Sequence, residues 1–304
     1  MGMQSSHPYY LQPIEYRLGL CNMVGFTKYK TADRIFHIKG CMDAFVTLII
    51  GDKKAMLIDT GYGILNIREY VESLTGLPLI IINTHGHIDH INGNYQFDEV
   101  YLHPNDFDAS LEHSAKDWKQ RVVQMAKDRN VLPEHFNEEA YVNSGRGNVL
   151  PLTEKTFDLG GITLEVIATP GHTIGSICML VPKERLLITG DTLNTQLFLF
   201  LTQSTSLKRY IDTLEGLKKL DFDKMIISHY YAPVPKSRID SNIACAKNID
   251  IAKSEPITIG MLPDYSPLNY IHNVAFEPSG YPDIPEKGQI DGEFPSILFT
   301  LDRL

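Results

Sequence analysis

The sequence has 304 residues, a hydrophobic content of 43% and a formal net charge of −9 at neutral pH. This length and composition fit a globular protein with its own apolar core, organised as one large α/β domain or two small ones. Because the chain is acidic and its basic residues are scattered, we expect no nucleic-acid partner.

The amino-terminal stretch MGMQSSHPYYLQPIEYRLGL lacks the basic region and the apolar run of a signal peptide. No later apolar run approaches the roughly 20 residues that a membrane-spanning helix needs. The four cysteines lie far apart without a CxxC pair, which is typical of reduced thiols. The sequence therefore predicts a cytoplasmic protein with no membrane partner.

The next elements alternate between strand and helix patterns. Residues 35–60 carry short apolar runs around the turn GDKK, which predicts antiparallel strands joined by a hairpin. Residues 64–76 have helical spacing, and residues 77–83 predict a buried strand. The same order of strand, helix and strand returns between residues 185 and 232. We therefore predict an internally duplicated α/β chain in which two sheets form a sandwich covered by helices.

Two further segments differ from this repeated pattern. Residues 104–150 have a helical composition and are predicted to form an inserted helical cap. Residues 255–304 are rich in proline, glycine and aspartate, and are predicted to be a loop-rich extension that finishes on an edge strand. We assign residues 1–304 to a single domain that contains both segments.

The stretch THGHIDH at residues 84–90 gathers three histidines and an aspartate directly after the predicted buried strand. Such side chains are costly to bring together unless a metal ion offsets their desolvation. An extended backbone points residues 85, 87 and 89 to one side, whereas residues two apart on a helix point in different directions. The candidate ligands here are His85, His87, Asp89 and His90.

Three later segments also carry residues with metal-ligand chemistry at predicted strand ends. They are ATPGHTIGS with His172, LLITGDT with Asp191 and MIISHYY with His229. Together with the first stretch they supply five histidines and two aspartates. This set suffices for two metal ions with three ligands each and one bridging carboxylate, and it leaves positions for water and substrate.

With these residues in place, the sequence resembles the metallo-β-lactamase-fold hydrolase superfamily, whose pattern is HxHxDH followed by a histidine, an aspartate and a histidine. All seven positions match, and the resemblance runs from about Phe36 to Tyr231 and includes LIDTG at residues 57–61. It implies an α/β fold of the αββα type, a four-layer sandwich of two mixed β-sheets flanked by helices.

The resemblance also implies a role for each matching residue. It assigns His85, His87 and His172 to a first metal and Asp89, His90 and His229 to a second, with Asp191 between them. A hydroxide would bridge the pair, and Asp89 would orient the nucleophilic water. Asp59 would hold a ligand histidine by accepting its second ring proton. We expect two divalent ions, with zinc first and iron or manganese as alternatives.

Within the superfamily, TPGHTIGS and GDTL look most like glyoxalase II and other thioesterase-like members. We therefore predict a dinuclear hydrolase of esters, thioesters or lactones. The carboxy-terminal segment departs from glyoxalase II, because it contains only Lys287 and Arg303 as basic residues. The alternatives are a mononuclear iron enzyme similar to persulfide dioxygenases, a phosphodiesterase or nuclease of the same superfamily, and a protein that keeps metal without turnover.

Substrate contacts are harder to assign. Quorum-quenching lactonases carry a tyrosine three residues beyond the bridging aspartate, and Asn194 stands there in this chain. The apolar run LFLFL at residues 197–201 fits core packing or a dimer contact better than a pocket wall. We expect a small-molecule substrate and consider a homodimer. The candidate substrate-binding residues are Asn194, Trp118, Tyr230 and Tyr231.

Overall fold

The computed structural model describes residues 25–259, 262, 265–271 and 295–304. Its strands are β1 (Thr27–Ala32), β2 (Ile35–Lys39), β3 (Phe45–Ile50), β4 (Ala55–Ile58), β5 (Leu79–Ile82), β6 (Val100–Leu102), β7 (Val149–Pro151), β8 (Thr156–Asp158), β9 (Thr163–Ala168), β10 (Ile177–Val181), β11 (Leu186–Ile188), β12 (Gln196–Leu199), β13 (Lys224–Ile226), β14 (Val234–Pro235), β15 (Glu255–Pro256), β16 (Leu268–Ile271) and β17 (Ser296–Phe299). Its helices are α1 (Ile67–Leu74), α2 (Ile88–Ile91), α3 (Phe107–His113), α4 (Lys116–Asp128), α5 (Glu138–Asn143), α6 (Leu207–Leu217) and α7 (Arg238–Lys247).

The first sheet contains β1 to β7 in chain order. Strands β1 to β4 pair antiparallel, and β4 to β7 pair parallel. The predicted hairpin between β3 and β4 is present, with the Gly51 N–H donating to the Lys54 carbonyl oxygen over 2.9 Å. Strand β4 is buried at every position, as expected for a strand covered on both faces.

The second sheet has the strand order β14-β13-β11-β10-β9-β8. Here β11 pairs parallel with β13, and α6 connects them along the chain. This unit repeats the arrangement of β4, α1 and β5 in the first sheet, where β4 pairs parallel with β5. The predicted internal duplication of strand, helix and parallel strand is therefore present in the fold.

The two sheets pack face to face over an apolar core that includes Met56 and Ile82 from one sheet and Met179 and Ile188 from the other. Helix α1 covers the outer face of the first sheet. Helices α6 and α7 cover the outer face of the second sheet, with Leu214 in that cluster. The predicted four-layer αββα sandwich is thus confirmed.

A third sheet has the strand order β12-β17-β16-β15. The prediction of a terminal edge strand was wrong, because β17 pairs parallel with β12 and antiparallel with β16. All four residues of β17 are buried, and the sequence pattern does not distinguish this from an edge position. In the LFLFL run, Leu197 and Leu199 pack under α6 and α7, whereas Phe200 and Leu201 pack towards α4.

Residues 104–150 contain α3, α4 and α5, and their last two residues already belong to β7 of the first sheet. Trp118, Val122 and Tyr141 from α4 and α5 pack against Phe200 and Leu298 of the third sheet or its flank. Much of the predicted extension at residues 255–304 lies outside the described residues, as does the amino-terminal stretch. The assignment of one domain with an insertion stays a prediction. Within the described ranges, no helix is both long and apolar enough to cross a membrane.

His37 connects β2 of the first sheet with the loop after β13. Its Nε2 lies 3.2 Å from the carbonyl oxygen of Ile227 and 3.1 Å from that of Tyr230, and its Nδ1 lies 3.1 Å from Thr47 Oγ1. Burial lowers the pKa of His37 to about 4. The folded protein therefore keeps this imidazole neutral at a pH where the unfolded chain takes up a proton.

We predict that His37 makes the protein acid-sensitive. Since its pKa lies near 6.5 when unfolded and about 4 when folded, stability is lost as the pH falls through that window. Between pH 7 and pH 5 the His37 contribution to the free energy of unfolding should fall by about 2 kcal/mol. Urea unfolding of metal-free protein should show that His37→Gln loses less stability over this interval than wild type. The exposed His135→Gln variant should match wild type, and equal losses in all three proteins would contradict the prediction.

Candidate metal centre

The seven predicted ligands follow the carboxyl ends of strands in both sheets. His85 and His87 follow β5, and helix α2 carries Asp89 and His90. The other three, His172, Asp191 and His229, follow β9, β11 and β13 respectively. The backbone at His87 is extended as predicted, but the extended segment does not continue to Asp89, because helix α2 begins at Ile88. The face-to-face sheets thus bring residues far apart in sequence to one end of the sandwich.

The first donor group consists of His85, His87 and His172, all of them buried. His87 Nδ1 lies 2.9 Å from His172 Nε2. The rings of His85 and His87 meet edge to face, with centroids 4.7 Å apart. Three imidazoles from two loops therefore converge on one point.

The second donor group consists of Asp89, His90, Asp191 and His229. The Oδ2 atom of Asp89 lies 3.4 Å from His90 Nε2 and 3.3 Å from His229 Nε2. Asp191 Oδ1 lies 3.3 Å from His90 Nε2, and its Oδ2 lies 3.3 Å from His229 Nε2. The same Oδ2 lies 3.6 Å from His172 Nε2 of the first donor group. Asp191 therefore stands between the two groups.

The geometry of this set fits divalent metal ions. Tetrahedral ligands at about 2.0 to 2.2 Å from zinc have donor atoms roughly 3.3 to 3.6 Å apart. The ligand distances around Asp191 lie between 3.3 and 3.6 Å. Among the residues that the structure describes, the buried Nε2 atoms of His85 and His90 and the Oδ1 atom of Asp191 have no hydrogen-bond partner. Orphaned buried polar atoms are costly, and metal coordination would satisfy them.

Most of the predicted ligand histidines have a hydrogen-bond partner at the ring nitrogen that faces away from the centre. The Nδ1 atoms of His172 and His229 lie 2.9 Å from the Phe198 carbonyl oxygen and 3.1 Å from that of Asp43. His85 Nδ1 lies 3.1 Å from Thr84 Oγ1. Such partners fix the ring orientation and the tautomer of a metal ligand.

Asp59 provides the corresponding partner for His90. Its Oδ2 lies 2.8 Å from His90 Nδ1 and accepts a hydrogen bond from the Thr84 hydroxyl over 2.9 Å, and its Oδ1 accepts one from the Thr84 N–H over 2.7 Å. Asp59 has a positive φ of 65°, in the left-handed region that L-residues rarely adopt. The carboxylate thus contacts His90, one of the predicted ligands. Its role towards a metal stays a prediction.

The charges suit metal ligands directly in the first donor group, whereas in the second group Asp89 and Asp191 outweigh burial and raise the pKa of His90 and His229 well above the ordinary value, so both rings would lose a proton on binding metal. Burial, followed by the neighbouring imidazoles, lowers the pKa of His85 and His87 well below the ordinary value, so both rings are neutral at pH 7. Neutral imidazole is the form that binds metal. Burial alone would raise the pKa of Asp89 and Asp191, but His90 and His229 outweigh it and hold both pKa values well below the ordinary range.

The four candidate substrate residues lie in different surroundings. Trp118 is buried, and its ring stacks on His113, with centroids 4.3 Å apart. Asn194 is buried, and its Oδ1 has no hydrogen-bond partner. Tyr230 packs against the cluster beneath α6 and α7, and Tyr231 is exposed beside it. Substrate contact by these four residues stays a prediction.

Sequence reasoning did not single out three residues that adjoin the ligands. The first is His113, which stacks on His87 with ring centroids 4.6 Å apart. Burial, followed by the charges of Asp89 and Asp43, raises the pKa of Tyr62 well above its ordinary value, so its hydroxyl stays protonated. The third is Asp106, which contacts both loops of the first donor group. Only tertiary contacts distinguish these residues from ordinary core positions.

The fold and the site together define an αββα protein with a histidine- and aspartate-rich centre at one end of its sheets. A family model described as the metallo-beta-lactamase superfamily matches residues 40–229, and the chain belongs to this superfamily.

Similarity to individual proteins agrees with this assignment. The chain is 28% identical over 194 residues to human acyl-coenzyme A thioesterase MBLAC2, covering 58% of this chain and 68% of that protein. It is 35% identical over 156 residues to the probable metallo-hydrolase MJ0888 of Methanocaldococcus jannaschii, covering 48% and 65%. The sec-alkylsulfatase Pisa1 from Pseudomonas sp. shares the fold, with a TM-score of 0.55 at 16% identity, over 73% of this chain and 41% of that one.

Proposed function

We propose that the protein is a metal-dependent hydrolase with a dinuclear centre that acts on an ester, thioester or lactone, with thioesters as the preferred class. The observation that carries this proposal is the position of Asp191, whose Oδ2 lies 3.3 Å from His229 Nε2 and 3.6 Å from His172 Nε2. One carboxylate oxygen within reach of both donor groups is what a shared ligand of two ions requires.

The second donor group is the accessible side of the centre. Its His229 side chain is 29% exposed and its Asp89 side chain 15% exposed, whereas the three histidines of the first donor group are almost completely buried. A small-molecule substrate and water would therefore approach past His229 and Asp89. The Oδ2 atom of Asp89 faces both His229 and His90. This carboxylate can therefore hold a water in a fixed orientation.

Bound divalent ions would supply a water of lowered pKa as nucleophile and would polarise the attacked carbonyl group. The chain itself would fix the positions of the reacting groups. Asp59 and the carbonyl oxygens of Phe198 and Asp43 hold the ligand rings in place, and burial keeps His85 and His87 neutral. Tyr62 offers a protonated hydroxyl near Asp89.

The preference for thioesters rests on two sequence similarities. The human relative is named an acyl-coenzyme A thioesterase, and TPGHTIGS resembles the thioesterase-like members of the superfamily. A thioester has an electrophilic carbonyl group that a metal-bound hydroxide could attack. Its leaving group is a thiolate, which can depart without being protonated by a strong acid. The net charge of −9 argues against a polyanionic nucleic acid as substrate.

A substrate panel tests this proposal. Zinc-loaded protein should release free thiol and carboxylic acid in equal amounts from acyl-coenzyme A thioesters, faster than it opens lactones or cleaves bis-p-nitrophenyl phosphate. Dialysis against a chelator should remove the activity, and added zinc should restore it. Phosphodiester cleavage alone would move the assignment to the phosphodiesterase alternative. Oxygen uptake with a persulfide by iron-loaded protein would move it to the dioxygenase alternative.

A further inference from the structure

Asp106 is a fully buried carboxylate directly before α3, outside the seven predicted ligands. Its Oδ2 accepts hydrogen bonds from the Gly86 N–H over 2.8 Å and from the Thr173 hydroxyl over 2.7 Å. Its Oδ1 accepts from the Gly175 N–H over 2.7 Å. Three donors at these distances satisfy a buried carboxylate and make it rigid.

The partners of Asp106 belong to the two loops that carry the first donor group. Gly86 lies between His85 and His87 in the chain, and Thr173 directly follows His172. The Thr173 hydroxyl also lies 2.7 Å from Ser176 Oγ, which accepts from the Thr173 N–H over 3.1 Å. One carboxylate therefore fastens two loops that are 87 residues apart, measured from Gly86 to Thr173.

The loops also press closely against the segment that starts at Asp106. A Cβ atom added at Gly86 would lie 2.8 Å from the Asp106 carbonyl oxygen and 2.9 Å from Ala109 Cβ. A Cβ atom added at Gly175 would overlap Asp106 Oδ1. Both positions therefore require glycine for close approach. The two loops and the segment at Asp106 are therefore closely packed, and neither loop can shift without breaking hydrogen bonds to the Asp106 side chain.

The second donor group has a different anchor. Asp59 contacts His90 directly, and its other hydrogen bonds go to Thr84. Within the described part of the chain, the side-chain hydrogen bonds of Asp106 go to Gly86, Thr173 and Gly175, and none goes to a residue of the second donor group. Asp106 therefore supports the first donor group, whereas Asp59 contacts His90 of the second group and also reaches His85 through the Thr84 hydroxyl.

We propose that Asp106 is a positioning residue that assembles the first donor group, so that its loss removes the metal held by His85, His87 and His172 and spares the metal held by the second donor group. This inference rests on the proposed dinuclear centre. Asp106 acts through the backbone of Gly86 and through Thr173, and it touches neither metal nor substrate.

Metal analysis of Asp106→Asn tests the proposal. The amide turns one acceptor oxygen into an NH₂ group that faces N–H and O–H donors, while the size of the side chain is unchanged. With free zinc buffered between the wild-type dissociation constant and a value about 10- to 100-fold higher, the usual loss of affinity when an outer partner is removed, wild type should hold two equivalents and the variant close to one. Asp108→Asn, an exposed aspartate two residues further along α3, is the matched control and should keep two equivalents.

A double variant identifies which group loses its ion. His87→Ala removes a ligand of the first donor group, so combining it with Asp106→Asn should cost no more metal than either change alone. Combining Asp106→Asn with His229→Ala should leave less than one equivalent. Cobalt substitution adds a spectroscopic readout, because the absorption of the first group should vanish in Asp106→Asn and persist in Asp108→Asn.

Thr173→Val provides a second variant if Asp106→Asn does not fold. It removes one of the three hydrogen bonds to Asp106 and preserves the side-chain volume. It should reduce the affinity for the same ion by a smaller factor than Asp106→Asn does. Two equivalents with wild-type affinity in Asp106→Asn, or in Thr173→Val where only that variant folds, would overturn the role of Asp106. Fewer than two equivalents in wild type would instead contradict the dinuclear centre on which the inference rests.

Discussion

Replacing Asp191 by alanine should lower turnover by about 10³-fold or more, since the several kcal/mol that a metal centre contributes to the transition state correspond to at least this factor. Asp191 is the residue whose carboxylate lies within 3.6 Å of donor atoms from both groups. Its loss should also reduce the metal content, because both ions would lose a ligand. The fold should persist, because the side chain belongs to none of the apolar core clusters.

The matched control for this experiment is Asp212→Ala. Asp212 pairs with Lys208 on the surface of α6, where exposed ion pairs contribute little. The control should keep both its turnover and its metal. Circular dichroism and urea unfolding would verify that both variants fold. If folded Asp191→Ala protein kept turnover within a few-fold of wild type, the residue could not be a shared ligand.

Replacing Asp59 by asparagine should weaken metal binding by the second donor group about 10- to 100-fold, the usual effect of losing an outer partner of a ligand histidine. The carboxylate accepts hydrogen bonds from Thr84 and contacts His90 Nδ1 at 2.8 Å. An amide can supply only one acceptor oxygen and would direct its NH₂ group at one of these donors. His90 would then lose its orientation as a ligand.

Chelator competition measures this effect separately from activity. Asp52→Asn is the control, because Asp52 is an exposed aspartate that pairs with Arg34 and lies in the turn before β4, at the opposite end of that strand from Asp59. The control should bind both ions as wild type does. Unchanged affinity in Asp59→Asn would show that His90 is oriented without the carboxylate, and the assignment of Asp59 as its anchor would fall.

Much of this site could be predicted from the sequence because its signals are local. His85, His87, Asp89 and His90 fall within six positions, and such a cluster has few explanations other than metal binding. The remaining ligands stand directly after apolar strand patterns, and the carboxyl ends of those strands meet at one end of the sandwich. The repeated order of strand, helix and parallel strand could also be predicted, because apolar periodicity is likewise a local signal.

The supporting residues could not be predicted, because their roles depend on contacts between distant parts of the chain. Asp106 in HPNDFDAS has the pattern of an ordinary residue before a helix, and the hydrogen bond that it accepts from the Gly175 N–H spans 69 positions. His37 contacts carbonyl oxygens 190 or more positions away. The interior position of β17 was missed likewise, since a short apolar strand has the same pattern at an edge or between neighbours.

The most direct test of the dinuclear centre is elemental analysis of protein purified without added metal or chelator, expressed as equivalents per chain. The arrangement of the two donor groups around Asp191 predicts close to two equivalents, as zinc or as a mixed pair of divalent ions. One equivalent of iron, with no second ion taken up on dialysis against zinc, would contradict it and favour the mononuclear dioxygenase alternative.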